Sequence, residues 1–221
     1  MEIIDNFIPK NDFQEIQKIF LSDDFPWFWN EQTLYDQKQL KSLGLSSSST
    51  PYSNFFKNPL KHSNRYQFTH AFVKPFQNKP VSPYWNILTP ILRKLAENNE
   101  KQLSQLSFNK VKANLNTKTI LHKNSGYHID VENPQNFKTA IFYFNTNNGY
   151  TKFKNGAKVS CVANRVVIFN ADLPHAAVSC TDKKRRVVLN FNYDTKIITD
   201  DSAWLLRDNL PANVAASLVL R

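Results

Sequence analysis

His128 and Asp130 place an imidazole and a carboxylate two positions apart. Alternate residues of a β-strand share one face, so the pair can aim two ligands at one point. Alone, His-x-Asp is weak, because so short a pattern recurs by chance and sits harmlessly in loops. It gains weight from His175, which opens a predicted strand after the buried-type run Val166-Val167-Ile168-Phe169 and the turn-like segment 170–174. Two histidines and one carboxylate form the facial set of a non-haem iron site, which leaves coordination positions open. Arg186 starts another predicted strand eleven residues beyond His175. Its guanidinium is permanently charged and grips a carboxylate through two N–H groups, as a pocket for a dicarboxylate requires.

These residues need a scaffold that brings distant strands together. From Val111 onward the sequence breaks into short β-like runs at 111–116, 119–122, 138–145, 150–153, 157–162, 165–169, 175–179 and 186–193. Turn signals such as Asn147-Asn148-Gly149 and Asn155-Gly156 separate them. Such a series predicts a mainly β fold with flanking helices, its core a jelly roll or double-stranded β-helix of the cupin kind. In the last run Arg186, Val188, Asn190 and Asn192 share one face, while Arg185, Val187, Leu189, Phe191 and Tyr193 share the other, which reads as apolar core. Upstream, Asn11 and Gln14 form a capping pair for a predicted helix over 11–21 that carries Phe13, Ile16, Ile19 and Phe20. Ser82-Pro83 announces a second helix bearing Ile87, Leu88, Ile91, Leu92 and Leu95, kinked or restarted at Pro90. Between them, Phe25-Pro26-Trp27-Phe28-Trp29 reads mainly as core, with part of it free to line a cleft. The polar stretch from Ser46 through Pro59 reads as loop. The expected organisation is one domain: a helical and loop-rich support over 1–104, a jelly-roll core with the metal site over 105–195, and a C-terminal extension over 196–221.

In combination, His128-x-Asp130, His175 and a basic residue some ten positions later resemble the Fe(II)/2-oxoglutarate-dependent dioxygenases, most closely their prolyl-4-hydroxylase-like branch. The similarity covers roughly residues 105 to 193, including 139–145, 148–153 and 164–169. The opening Ile4-Asp5-Asn6-Phe7-Ile8 and Phe25-Pro26-Trp27 are similar to small members encoded by marine bacteria and their phages. The resemblance implies that His128, Asp130 and His175 bind Fe(II), that Arg186 holds the distal carboxylate of 2-oxoglutarate, and that the Tyr143 hydroxyl shares it. Arg185 competes with Arg186 for that role, and strand alternation favours Arg186. Also implied are O2 as co-reactant, ascorbate as an optional requirement, and hydroxylation of a substrate with release of succinate and CO2. One departure is the sparse glycine of the turn before the later strands, where Tyr150 follows Gly149. The branch suggests peptidyl proline as substrate, but the sequence itself names none: a peptide, a protein or a small molecule all fit.

Composition narrows the alternatives. The chain has 221 residues, 28 basic against 18 acidic, for a net charge of +10. Such a field attracts anions of any kind. That keeps alive an oxygenase acting on nucleic acid, although the lysines are scattered and no nucleic-acid motif accompanies the compact Lys183-Lys184-Arg185-Arg186 run. A non-catalytic jelly roll that merely holds a metal is the other competitor. Only four glycines occur, and neither GxGxxG nor a P-loop is present, which argues against a nucleotide-binding fold. No apolar run approaches the ~20 residues of a membrane span. The N-terminus has acids where a signal peptide carries bases, so the expected location is the cytoplasm, or the host cytoplasm if the chain is virus-encoded. Cys161 and Cys180 read as isolated buried thiols. His62, His70 and His122 read as structural, and Asp172 as a turn former.

Overall fold

A computed structural model describes residues 1–30, 66–75, 77, 79–101, 103–131 and 134–194. The serine-rich loop, His62 and the C-terminal extension lie outside the described residues. The strands are β1 (Glu2–Ile4), β2 (Phe28–Asn30), β3 (Gln67–Val73), β4 (Ser107–Thr117), β5 (Phe137–Tyr143), β6 (Tyr150–Phe153), β7 (Lys158–Ser160), β8 (Arg165–Asn170), β9 (His175–Val178) and β10 (Arg185–Asp194). Two α-helices, α1 (Lys10–Phe20) and α2 (Thr89–Asn98), flank them. The strands form a seven-stranded antiparallel sheet in the order β1-β8-β5-β10-β4-β3-β2 and a three-stranded sheet in the order β7-β6-β9.

Period-two alternation gives the large sheet two buried faces. Toward the helices it presents Val111, Ala113, Phe142, Ile168, Val187, Leu189 and Phe191, packed with Phe13, Ile16 and Phe20 of α1 and Ile91, Leu92 and Leu95 of α2. Toward the small sheet it presents Ile141, Tyr143, Val167, Phe169 and Val188, which meet Phe153, Val159 and Cys161. The result is a mainly β, jelly-roll architecture with helices on one side, and the space between the two sheets holds the polar residues of interest.

Several local expectations change. α1 begins at Lys10 behind Pro9 with no side-chain cap, so Asn11 lies inside the helix rather than before it. A fixed φ suits Pro9 to launch a helix without a side-chain acceptor. Trp85–Leu88 forms a 3₁₀ turn, and α2 restarts with Pro90 in its first turn, where a missing N–H costs nothing. No strand forms over 119–122: the Thr119 hydroxyl bonds the Leu121 carbonyl at 2.7 Å and Ser179 at 2.6 Å, and Ile120 and Leu121 are exposed. Side-chain closure of a turn has displaced a ladder there. The run expected over 157–162 shortens to β7, and β1 and β2 are added as edge strands. Of the described residues, no helix is long and apolar enough to cross a membrane.

Candidate metal centre

His128 and His175 are brought together by the backbone. They exchange both main-chain hydrogen bonds, each 3.0 Å, in an isolated antiparallel bridge. Directly opposed residues project to the same side, and the two imidazole centroids stand 4.7 Å apart. Asp130, two residues beyond His128, returns to that side. One ligand atom from each of the three lies within 4.8 Å of the others.

The ring orientations favour a cation. His128 Nδ1 is 3.2 Å from the Gly126 carbonyl and His175 Nδ1 is 3.3 Å from the Leu173 carbonyl. A carbonyl accepts only from N–H, so each ring carries its proton on Nδ1 and turns the Nε2 lone pair inward, the tautomer a metal ligand needs. His175 Nε2 is buried and makes no hydrogen bond, although Asp130 Oδ2 is 3.5 Å away. An orphaned buried lone pair is costly unless something binds it. Burial pushes the His128 imidazole down to about 4, with neighbouring His175 adding to the effect.

Asp130 is held as a carboxylate. Burial opposes its ionisation, but the charges around it, the Lys110 ammonium foremost, keep its carboxyl well below the usual range. Lys110 Nζ donates to Oδ1 at 2.7 Å, and Asn192 Nδ2 reaches Oδ2 at 3.5 Å. Asn192 is fixed in turn by Thr139 at 2.9 Å. Such partners orient a ligating carboxylate. Lys110, Asn192 and Thr139 were not singled out from sequence.

The cavity beside this cluster is lined by Lys112, Asn114 and Asn116 of β4, by Arg186, Val188 and Asn190 of β10 and by Ile141 of β5, which share one face of the large sheet, and by Thr151 of the small sheet. Arg186 is 2% exposed. Its Nε donates to Cys161 Sγ at 3.0 Å and an Nη to Thr151 Oγ1 at 3.2 Å, while the Tyr143 ring lies 5.7 Å below. Burial pushes the Cys161 thiol up and the Tyr143 hydroxyl up, so both neighbours are neutral. Among the described residues no carboxylate pairs with Arg186. Tyr143 does not reach the cavity; its hydroxyl bonds Thr151 Oγ1 at 2.7 Å and sets the hydroxyl that Arg186 meets. Arg185 faces the opposite way and donates to the Leu21 carbonyl. Gly149 permits the packing: a Cβ there would stand 2.7 Å from Asn147 Oδ1, 2.8 Å from the Val178 carbonyl and 3.1 Å from Arg186 Cδ.

The other two described histidines are held by hydrogen bonds away from this cluster. His70 is buried on the helix side of β3, between the Pro26 carbonyl at 2.9 Å and Ser82 Oγ at 2.7 Å. His122 bonds the Ser179 carbonyl at 2.7 Å. The N-terminal aromatic cluster divides: Phe25 stacks on Phe20 in the core, whereas Phe28 and Trp29 are exposed on β2.

A double-stranded β-helix with a two-histidine, one-carboxylate cluster between its sheets thus defines the molecule. No family model and no curated protein matches the sequence. Solved structures match its fold. A prolyl hydroxylase from Trichoplax adhaerens, solved with a peptide fragment of the hypoxia inducible factor oxygen degradation domain, is 12% identical with a TM-score of 0.51, over 87% of this chain and 83% of that one. The non-haem α-ketoglutarate-dependent epimerase SnoN from nogalamycin biosynthesis is also 12% identical, with a TM-score of 0.52, over 95% of this chain and 84% of that one. At such identity the likeness is one of fold.

Proposed function

We propose that the protein is an Fe(II)- and 2-oxoglutarate-dependent dioxygenase that hydroxylates its substrate. His128, Asp130 and His175 would hold the metal, and Arg186 would hold the distal carboxylate of the cosubstrate. The observation that carries this reading is the pairing, in one cavity, of a ligand set whose buried His175 Nε2 has no hydrogen-bond partner with a buried guanidinium that meets no carboxylate among the described residues. A jelly roll that held metal only for structure would need the first and gain nothing from the second. An unmatched buried charge costs several kcal/mol, at an order of magnitude, until a counter-ion arrives.

Each residue has a definable task. The Gly126 and Leu173 carbonyls keep the two imidazoles in the ligating tautomer. Lys110 and Asn192 fix the carboxylate plane of Asp130 and keep it deprotonated. Thr151, braced by Tyr143, and Cys161 align the Arg186 fork. Ile141 and Val188 exclude water from the space between the fork and the ligand set. When bound, Fe(II) with 2-oxoglutarate and O2 supplies oxidising chemistry, with succinate and CO2 as co-products.

The test needs no substrate. Fe(II) and then 2-oxoglutarate are added anaerobically to metal-free protein, and the visible charge-transfer absorption of the chelate is recorded, with His175→Ala as control. The band should appear in the wild type and be lost in the variant. Iron binding without the band would replace this reading by a metal-holding module.

A further inference from the structure

The cavity wall that continues from Arg186 along the same face of the large sheet has its own chemistry. Lys112 lies on β4 directly across from Asn190 of β10, and Asn114 follows Lys112 on the same face. Cross-strand neighbours and alternate residues stand within about 7 Å of one another, so these three side chains form one small patch. All three line the cavity that contains the metal cluster. Lys112 has no ion pair and no side-chain hydrogen bond among the described residues; the available carboxylate, Asp130, is taken by Lys110. Asn114 is 7% exposed, and its Oδ1, like Asn190 Oδ1, is buried without a hydrogen-bond partner.

These groups are too many to be accidental gaps. Buried side-chain acceptors are paired in the large majority of cases, yet two fall here beside an unpaired ammonium. Nor would the cosubstrate account for the two amide oxygens, since 2-oxoglutarate offers only acceptors and no N–H group, and its distal carboxylate would go to Arg186, which pairs in register with Asn116 further along the strand. What would complete the patch is a carboxylate for Lys112 and N–H donors for the two amide oxygens, a few ångströms apart in one ligand.

We infer that the substrate is a small amino-carboxylate, of which a free α-amino acid is the simplest form, with its carboxylate on Lys112 and its N–H donors on Asn114 and Asn190. This rests on the oxygenase reading above and adds the substrate class to it. A peptide lacks the free carboxylate next to its N–H groups, except at its C-terminus.

The experiment is anaerobic calorimetry on the protein loaded with Fe(II) and 2-oxoglutarate, titrated with each of the twenty free L-amino acids and then with the carboxamide of any that binds. At least one free amino acid should bind, and capping its carboxylate should abolish the signal. Lys112→Met should weaken that binding by about 30-fold or more, the loss expected when one partner of a desolvated charge pair is removed, while Lys112→Arg retains most of it. The charge-transfer band should persist in Lys112→Met, which shows the variant folded and loaded. The inference is overturned if none of the twenty binds, if the carboxamide binds equally, or if Lys112→Met binds as wild type does. It is also overturned if Lys112→Met loses the band, which would assign the lysine to the cosubstrate. Absence of the band in the wild type itself would instead remove the oxygenase reading, and this inference with it.

Discussion

Replacing Arg186 by Met keeps most of the side-chain length and deletes its charge, and the two states of the site should respond in opposite directions. The guanidinium is 2% exposed and, among the described residues, donates to a thiol at 3.0 Å and a hydroxyl at 3.2 Å. Exchanging buried ionic groups for apolar ones of similar volume is neutral or stabilising by about 1–4 kcal/mol. At this chain length about 1 kcal/mol corresponds to about 2–4 °C in thermal midpoint. The metal-free variant should therefore melt at the wild-type temperature or a few degrees above it. With Fe(II) and 2-oxoglutarate the sign reverses, because the distal carboxylate enters the same enclosure without a cation. Losing one partner of a desolvated pair costs about 2–5 kcal/mol, and about 1.4 kcal/mol is tenfold in affinity. The Kd for 2-oxoglutarate should rise by about 30-fold to several thousand-fold. Anaerobic titration of the charge-transfer band measures the second quantity and scanning calorimetry the first. If Arg186→Met melts well below wild type yet binds 2-oxoglutarate equally, the arginine is a structural strut and the anchor assignment is wrong.

Two further outcomes follow from the same geometry. Gly149→Ala puts a Cβ 2.7 Å from Asn147 Oδ1 and 3.1 Å from Arg186 Cδ, so it should cost about 1–3 kcal/mol in urea unfolding, as overpacking does, and also weaken 2-oxoglutarate binding; unchanged values for both would show that the loop yields freely. In the metal-free protein burial lowers the pKa of His70 and His128, the latter to about 4 against an ordinary 6.5. The unfolded chain then binds protons that the folded one refuses, so stability rises with pH between about 4 and 6.5 and is lost on acidification through that window. His128 alone contributes on the order of 3 kcal/mol across it, so the thermal midpoint of the wild type should fall more steeply on acidification than that of His128→Leu; parallel profiles would contradict the assignment.

What the sequence made legible depended on whether a residue's surroundings follow from its own strand. Arg186 and Arg185 were separable because one alternation in β10 puts Val187, Leu189 and Phe191 with Arg185 and leaves Arg186 opposite. His128, Asp130 and His175 could be proposed together from residue type and spacing, but the bridge that joins the two histidines depends on a pairing between chain segments that no local pattern specifies. Lys110, Lys112, Asn114 and Asn116 were passed over for a physical reason. They alternate with Val111, Ala113 and Leu115, and a polar stripe beside an apolar one ordinarily means a strand with one wet face. Here the polar stripe faces a second sheet. Thr151 escaped notice because its importance lies in what Tyr143 and Arg186 do to its hydroxyl. The false strand over 119–122 had apolar residues in the right number, but Ile120 and Leu121 are exposed and the Thr119 hydroxyl closed a turn instead.

The charge balance of the filled site carries the substrate argument one step further. Lys110 and Asp130 neutralise each other at 2.7 Å. In the proposed loaded site a divalent metal and a doubly charged cosubstrate would also cancel, so loading would not alter its formal charge. Arg186 and Lys112 therefore leave a positive surplus in a cavity whose other lining groups are amides, hydroxyls and apolar side chains. In the proposed loaded site Arg186 would be satisfied locally by the cosubstrate's carboxylate, whereas Lys112 would not, and burial already pushes its ammonium down to about 8. A ligand bearing a second cation, such as a lysine or arginine side chain, would add to that surplus and be rejected. One with an extra carboxylate would reduce it. Among free amino acids the acidic and neutral ones should accordingly bind before the basic ones, and the order should sharpen as ionic strength is lowered only to the small extent that a buried site senses salt.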